Sequence, residues 1–369
     1  MGIIRFLLAC SVVIAHAHQS ISIPILNAGV CVETFFIISG FYMALVLETK
    51  YHSDKRAFWL NRWFRIAPTY YMILLASLAI YFAASLWKHH PIDRLNFFVT
   101  AFHDHAWGAL VLGTLPQISI VGLQWPLLQM YTPASGLAWL GFSPMGDTSV
   151  MMERFLFVPQ AWSVGVELMF YLIVPFLNKF STRKLLVIAL ASYALKISLR
   201  FSLSGGLLSK YDQVALPPQL CLFILGMLAC RYRHAILSVV PKIWGLFILT
   251  LWVLCFTIFE LFSFNPTETL FLLFSASILP AVFDWSKSLA WDRWIGDLSY
   301  PIYMSHIALR WLLLGTGAKA YQGCSPWILL AITIPVAIGI SYLVEGPIDR
   351  WRHRTYPPRS EKSPKPLLS

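Results

Sequence analysis

The chain reads as a series of apolar runs of roughly twenty residues, the length a helix needs to cross a bilayer core. These runs cover 3–22, 27–47, 66–86, 160–177, 185–203, 217–230, 243–262, 267–283, 296–316 and 326–345. Short loops rich in Lys and Arg stay on the cytoplasmic side of multi-span proteins. Segment 48–65 holds Lys50, Lys55, Arg56, Arg62 and Arg65, and the run 160–177 is followed by Lys179, Arg183 and Lys184. Arg231 and Arg233 follow 217–230. The pattern predicts an all-α, polytopic integral membrane protein of about ten transmembrane helices. Both termini are expected in the cytoplasm, and the chain in the cell (inner) membrane.

Residues 87–158 interrupt the pattern. Their basic residues are Lys88, Arg94 and Arg154, and Pro116 and Pro126 divide the apolar stretch 108–130. One ordinary span here would turn every later basic loop outward. The region therefore reads as re-entrant or interfacial pieces on the outer side, with two short spans as the alternative. Beyond 349 come Arg350, Arg352, Arg354, Arg359, Lys362 and Lys365 among several prolines. The expected division is a multi-span domain over 1–348 and a basic, Pro-rich cytoplasmic tail over 349–369, ending without regular structure. Glu345-Gly-Pro347 reads as structural, the proline ending the last span. No short-period repeat or pair of matching halves is visible, which weighs against the inverted-repeat plan of many transporters.

Composition sharpens this. Hydrophobic residues make up 58% and charged residues 12%, against about 25% charged in soluble domains, which excludes a soluble fold. The net charge of +11 sits in the loops that set orientation, so it does not point to nucleic acid. The cysteines at 10, 31, 221, 230, 255 and 324 lie mostly in apolar runs without CxxC spacing. They read as small core residues, with no disulfide or metal framework.

Ionisable groups at membrane depth carry the candidate chemistry. Arg5 and His16 are eleven residues apart on one face of a helix, roughly 16 Å along its axis. Glu33 falls at nearly the depth of His16, where a carboxylate could fix the imidazole's tautomer for work as a general base. A polar pair that only locks two helices together fits equally well. Ser163 and Glu167 share a face, four residues apart, and Glu167 falls at the same depth. Ser299, Tyr303, His306 and Arg310 form a polar stripe that either packs inward or lines a wet path. Arg62 and Arg65 lie where a polyanionic cytosolic ligand would dock. Arg5, the apolar run and Ala15-His16-Ala17 also resemble a signal peptide, whose cleavage would remove the Arg5–His16 pair. The single basic residue of its n-region and the histidines at the cut site weigh against that reading.

In this order, these stretches resemble the membrane-bound acyltransferase-3 family, whose members O-acylate carbohydrates. Arg5 and His16 match its arginine, ten residues and histidine. Residues Cys31 to Phe41 match a GVEIFFVISGF-like segment, with Cys31 at the usual glycine. Phe58 to Pro68 match FxxxRxxRIxP, with Asn61 where many members carry another arginine. Trp162 to Pro175 match WSLxxExxFYLxxP. Phe223-Ile-Leu-Gly226, a GxxSYxxYxxH segment at 296–306 and an ExP at Glu345 and Pro347 complete the set.

The resemblance implies an acyl-CoA donor, in the first place acetyl-CoA, and a carbohydrate or glycolipid acceptor such as a lipopolysaccharide or exopolysaccharide. It implies no permanently bound cofactor and no metal. His16 would deprotonate the acceptor hydroxyl or carry the acyl group, oriented by Glu33 or Glu167. Arg5, Arg62 and Arg65 would hold the donor's phosphates, and Ser163, Tyr303, His306 and Arg310 would face substrate. The rival class is a proton-coupled transporter or glycolipid flippase, which also needs acids, histidines and arginine at depth.

Overall fold

The computed structural model describes residues 1–17, 27–51, 54–90, 92, 94–132, 136–140, 149–201, 209–259, 265–315 and 323–355. In chain order the helices are α1 (Gly2–Ala15), α2 (Ala28–Thr49), α3 (Lys55–Lys88), α4 (Arg94–His103) and α5 (Trp107–Ser119). Then come α6 (Trp162–Leu177), α7 (Thr182–Arg200), α8 (Ser209–Val214), α9 (Leu216–Arg231) and α10 (Arg233–Val239). The last are α11 (Gly245–Phe259), α12 (Asn265–Ser286), α13 (Ala290–Leu314), α14 (Pro326–Ile340) and α15 (Gly346–Thr355). Local signals fix several starts. The side chains of Asn27, Asp54 and Ser181 accept from the backbone N–H of Gly29, Ala57 and Lys184, capping α2, α3 and α7.

Among the described residues, five helical stretches are long and apolar enough to cross a membrane: Ala28–Thr49, Lys55–Lys88, Pro159–Leu177, Glu268–Ser286 and Pro326–Arg352. The pair α9 and α10, bent by 60°, makes a sixth if it is one span. The other expected spans fall short for physical reasons. α1 has 14 residues, roughly 21 Å of helix. α7 carries Arg183, Lys184, Lys196 and Arg200, and α13 carries Asp292, Arg293, Asp297 and Arg310.

α1 is a core element. Ile4, Leu8, Val12 and Val13 are buried, and the helix packs on α13, α2 and α14. Two close crossings hold the centre. A Cβ on Gly40 would lie 2.0 Å from the carbonyl oxygen of Phe223, and one on Gly226 would lie 1.9 Å from that of Ile37. The backbones of α2 and α9 therefore touch, as small residues permit in membrane bundles. Gly2 meets Gly296 in the same way, where α1 crosses α13. Asp292 caps α1 from that neighbour, its Oδ2 accepting from Gly2 N–H and its Oδ1 from Ile3 N–H, each at 2.9 Å.

Residues 87–158 add a small sheet to the all-α expectation. Strands β1 (Gln129–Thr132), β2 (Gly136–Trp139) and β3 (Val150–Met151) pair antiparallel in the order β2-β1-β3. α4 and α5, with 10 and 13 residues, reach roughly 15–20 Å and are too short to cross.

Pro347 does not end the helix: a π turn over Ser341–Glu345 leads into α15, which continues to Thr355. The wider turn absorbs the missing proline N–H. The first residues assigned to the tail are thus helical, and residues 356–369 lie outside those described.

Candidate active site

α1, α2, α3, α6, α12, α13 and α15 line a cavity of about 540 Å³. Seven basic residues line it (Arg5, Lys50, Arg62, Arg65, Lys287, Arg293 and Arg352) against four acidic ones: Glu167, Asp292, Asp297 and Asp349. Its polar inner wall is formed by Ser39, Ser163, Glu167, Tyr171 and Tyr303. A cavity so lined attracts anions at its basic part and offers neutral hydroxyls and one carboxylate deeper in.

The three predicted phosphate-binding arginines separate. Arg5 and Arg62 line the cavity, and among the described residues no carboxylate is paired with either. Arg65 is committed: it contacts Asp297 at 3.1 Å, Asp349 at 3.1 Å and Glu345 at 3.7 Å. Glu345 also accepts from Thr69 Oγ1 at 3.0 Å. This cluster ties α3 to α13 and α15. Arg352, expected in the basic tail, donates to the Asn61 carbonyl and pairs with Asp349 at 2.9 Å.

Farther in, the polar groups form a chain. Tyr303 Oη donates to the carbonyl of Gln160 at 2.8 Å. Its single proton is then used, so Ser163 Oγ, 2.7 Å away, donates to it. Glu167 Oε1 accepts from Ser39 Oγ at 2.6 Å and from the hydroxyl of Tyr171. Tyr171 stands four residues after Glu167, the spacing that could have flagged it.

The predicted stripe on α13 packs inward, with Ser299, Tyr303, His306 and Arg310 all buried. Tyr303 lines the cavity, and behind it the His306 ring lies 5.9 Å from the Tyr303 ring. The ring of His16 follows, 5.0 Å from that of His306. His16 itself does not line the cavity; it sits two rings back, at the end of α1. The backbone bond from Cys324 N–H to the carbonyl of Ala17, 3.0 Å, ties that end to the start of α14.

Neither predicted orienting acid bonds to His16. Glu33 points the other way, into a buried charge cluster. Its Oε1 lies 2.6 Å from Lys196 Nζ and 3.3 Å from Gln219 Nε2. Arg200 bonds Asp212 at 2.8 Å and Glu268 at 2.6 Å, joining α7, α8 and α12 to the same cluster. Burial pushes the Asp212 carboxyl up, while Lys196 and Arg200 pull it back. Lys196, with Arg200 one of two cations inside the apolar run 185–203, is the signal that points there; a buried lysine needs a carboxylate, and Glu33 is that carboxylate.

Among the described residues, no group of three or more His, Cys, Asp or Glu side chains could hold a metal ion. A family model described as an acyltransferase domain matches residues 1–346. The chain belongs to the acyltransferase-3 family. No curated protein and no solved structure matches it. The match spans every element from α1 to the start of α15, so the histidine pair and all of the cavity's lining except Asp349 and Arg352 fall within the acyltransferase-3 region. With its apolar helices, the chain is a membrane acyltransferase.

Proposed function

We propose that this acyltransferase moves an acetyl group from acetyl-CoA, approaching from the cytoplasm, to a hydroxyl of an envelope or secreted carbohydrate. The observation that carries the reading is the cavity's polarity: Arg5 and Arg62, without a carboxylate partner among the described residues, at its basic part, and Ser163 and Tyr303 on its inner wall. By the positive-inside rule, the face bearing Lys50, Lys287, Arg293 and Arg352 is cytoplasmic. On this reading both termini face the cytoplasm and the chain lies in the inner membrane. Arg5 and Arg62 bind the donor's phosphates as charge-assisted partners. The pantetheine arm extends inward along the apolar wall, presenting the thioester near Ser163 and Tyr303. His16, in the outer half of the bilayer, acts as general base toward the acceptor hydroxyl. Glu167, through Ser39 and Tyr171, shapes the wall beside Arg62 instead of orienting the histidine.

The test is transfer of radiolabel from acetyl-CoA to surface glycan by the purified protein in detergent. Labelled glycan supports the reading. A carrier or flippase would give none, and a longer acyl-CoA used in preference would correct the donor.

A further inference from the structure

Ser163 and Tyr303 enter the cavity wall as a fixed unit. Gln160, in the turn Pro159–Ala161 that leads into α6, is tied to α13 twice. Its backbone carbonyl accepts from Tyr303 Oη at 2.8 Å, and its side-chain Nε2 donates to the carbonyl of Met304 at 2.7 Å. Ser163 is the second residue of α6, so these two bonds also set the place of its hydroxyl. Ser163 and Tyr303 are 5% and 7% exposed, and both line the cavity. Buried groups held by pinned neighbours are the kind of donor that stabilises a transition state without reorganising.

The two hydroxyls hold protons of unequal freedom. Tyr303 commits its proton to a backbone carbonyl, which costs free energy if left buried and unpaired. Ser163 gives its own to Tyr303 Oη at 2.7 Å, an oxygen that keeps its bond to Gln160 whether or not it accepts. The Gln160 carbonyl lies 3.5 Å from Ser163 Oγ, at the limit of reach. Turning the Ser163 proton into the cavity therefore leaves that carbonyl paired with Tyr303. A hydrogen bond to an oxyanion is roughly twice as strong as one to a neutral hydroxyl, so developing charge draws the serine proton away from Tyr303. The helix adds to this. α6 has 16 residues and no side-chain cap on its first turn, and Ser163 and Val164 from that turn line the cavity. The positive end of the helix dipole is thus on the same wall. Glu167, the acid one turn further along α6, already accepts from Ser39 and Tyr171.

We propose that Ser163 is a catalytic residue, its Oγ–H donating to the thioester oxygen as negative charge gathers there. Tyr303 is the positioning residue that holds the serine and keeps the Gln160 carbonyl occupied. The inference rests on acetyl-CoA being the donor in this cavity, and it holds whichever base serves the acceptor. In the step, the acceptor oxygen forms the new C–O bond while the π pair of the thioester C=O moves onto its oxygen, beside Ser163. As the C=O re-forms, the C–S bond breaks with its electron pair on sulfur. The acceptor's O–H proton leaves to the base and ends on that thiolate.

The test is infrared difference spectroscopy of acetyl-CoA carrying carbon-13 at the thioester carbonyl, bound to the full-length protein in detergent without acceptor. In the parent, the bound C=O stretch should lie below that of free acetyl-CoA, as in any hydrogen-bonded carbonyl. In Ser163→Ala it should return to the free position, while kcat falls about a hundredfold to a thousandfold and the KM for acetyl-CoA moves little. Tyr303→Phe leaves the Gln160 carbonyl to take the serine's proton, so kcat should fall about tenfold. The double variant should be no slower than Ser163→Ala, because the two hydroxyls act as one unit. A bound stretch at the same position in the parent and in Ser163→Ala, or the parent's kcat in Ser163→Ala, would overturn the inference. Where Ser163→Ala does not fold, the parent spectrum decides, since an unshifted bound carbonyl contradicts a donor at Ser163. A sample with no bound acetyl-CoA signal strikes the donor reading itself, so the two failures are separable.

Discussion

Lys196 sets its ammonium 2.6 Å from Oε1 of Glu33, with both side chains almost wholly shielded. Removing one partner of a buried pair leaves the other uncompensated, at a cost of about 3–5 kcal/mol. Asp212, 3.9 Å from Lys196, offsets part of that. Glu33→Ala should therefore lower the apparent melting temperature in detergent, and the double variant Glu33→Gln with Lys196→Met should recover most of it. Size-exclusion monitoring of heated samples reads the effect. Normal melting with lost turnover would return Glu33 to the chemistry.

The arginines should divide by their pairing. Arg5→Ala and Arg62→Ala each remove a charged donor group worth about 1.5–3 kcal/mol. The apparent KM for acetyl-CoA should rise roughly tenfold to a hundredfold, with melting little changed. Arg65→Ala should behave in the opposite way, because it leaves Asp297, Asp349 and buried Glu345 facing one another. Steady-state kinetics and melting curves on the same three preparations make the comparison.

His16→Ala should lower kcat by about two to four powers of ten, the range general-base groups supply. The variant should still insert and elute as a single species. Single-turnover measurement with labelled acetyl-CoA checks this, and wild-type turnover would refute the assignment of His16.

Gly226→Leu should unfold the centre of the bundle. A Cβ there would sit 1.9 Å from a backbone oxygen of α2, a contact that no side-chain rotation relieves. The expected loss is about 2 kcal/mol or more for overpacking, seen as reduced yield and early melting. Gly339→Ala, with open space around its Cβ, is the control.

Much of this was readable from residue order. The apolar runs locate α2, α3, α6, α12 and α14, because a bilayer imposes both length and composition on a span. The motif residues Arg5, Arg62, Ser163, Glu167 and Tyr303 do meet in one cavity. Partner choice was not readable. Glu33 and Glu167 look equivalent by depth, yet one faces Lys196 and the other Ser39 and Tyr171, since rotation about the helix axis is set by neighbours far away in sequence. Arg65 looked like Arg62 for the same reason; three carboxylates from 297–349 decide otherwise. Strands β1 to β3 were missed because Pro and Gly in 87–158 signal irregular backbone without saying how it pairs.

The contact of Gly40 with Phe223 and of Gly226 with Ile37 has a mechanical consequence. Backbones in direct touch leave no soft side-chain layer to shear, so α2 and α9 form one stiff strut through the protein. Breathing of the cavity to admit a donor and release a thiol must then occur at its other walls, where α3, α13 and α15 meet through the ionic knot at Arg65. Salt and charge substitutions at that knot would tune the opening rate, while the strut keeps the inner wall in register.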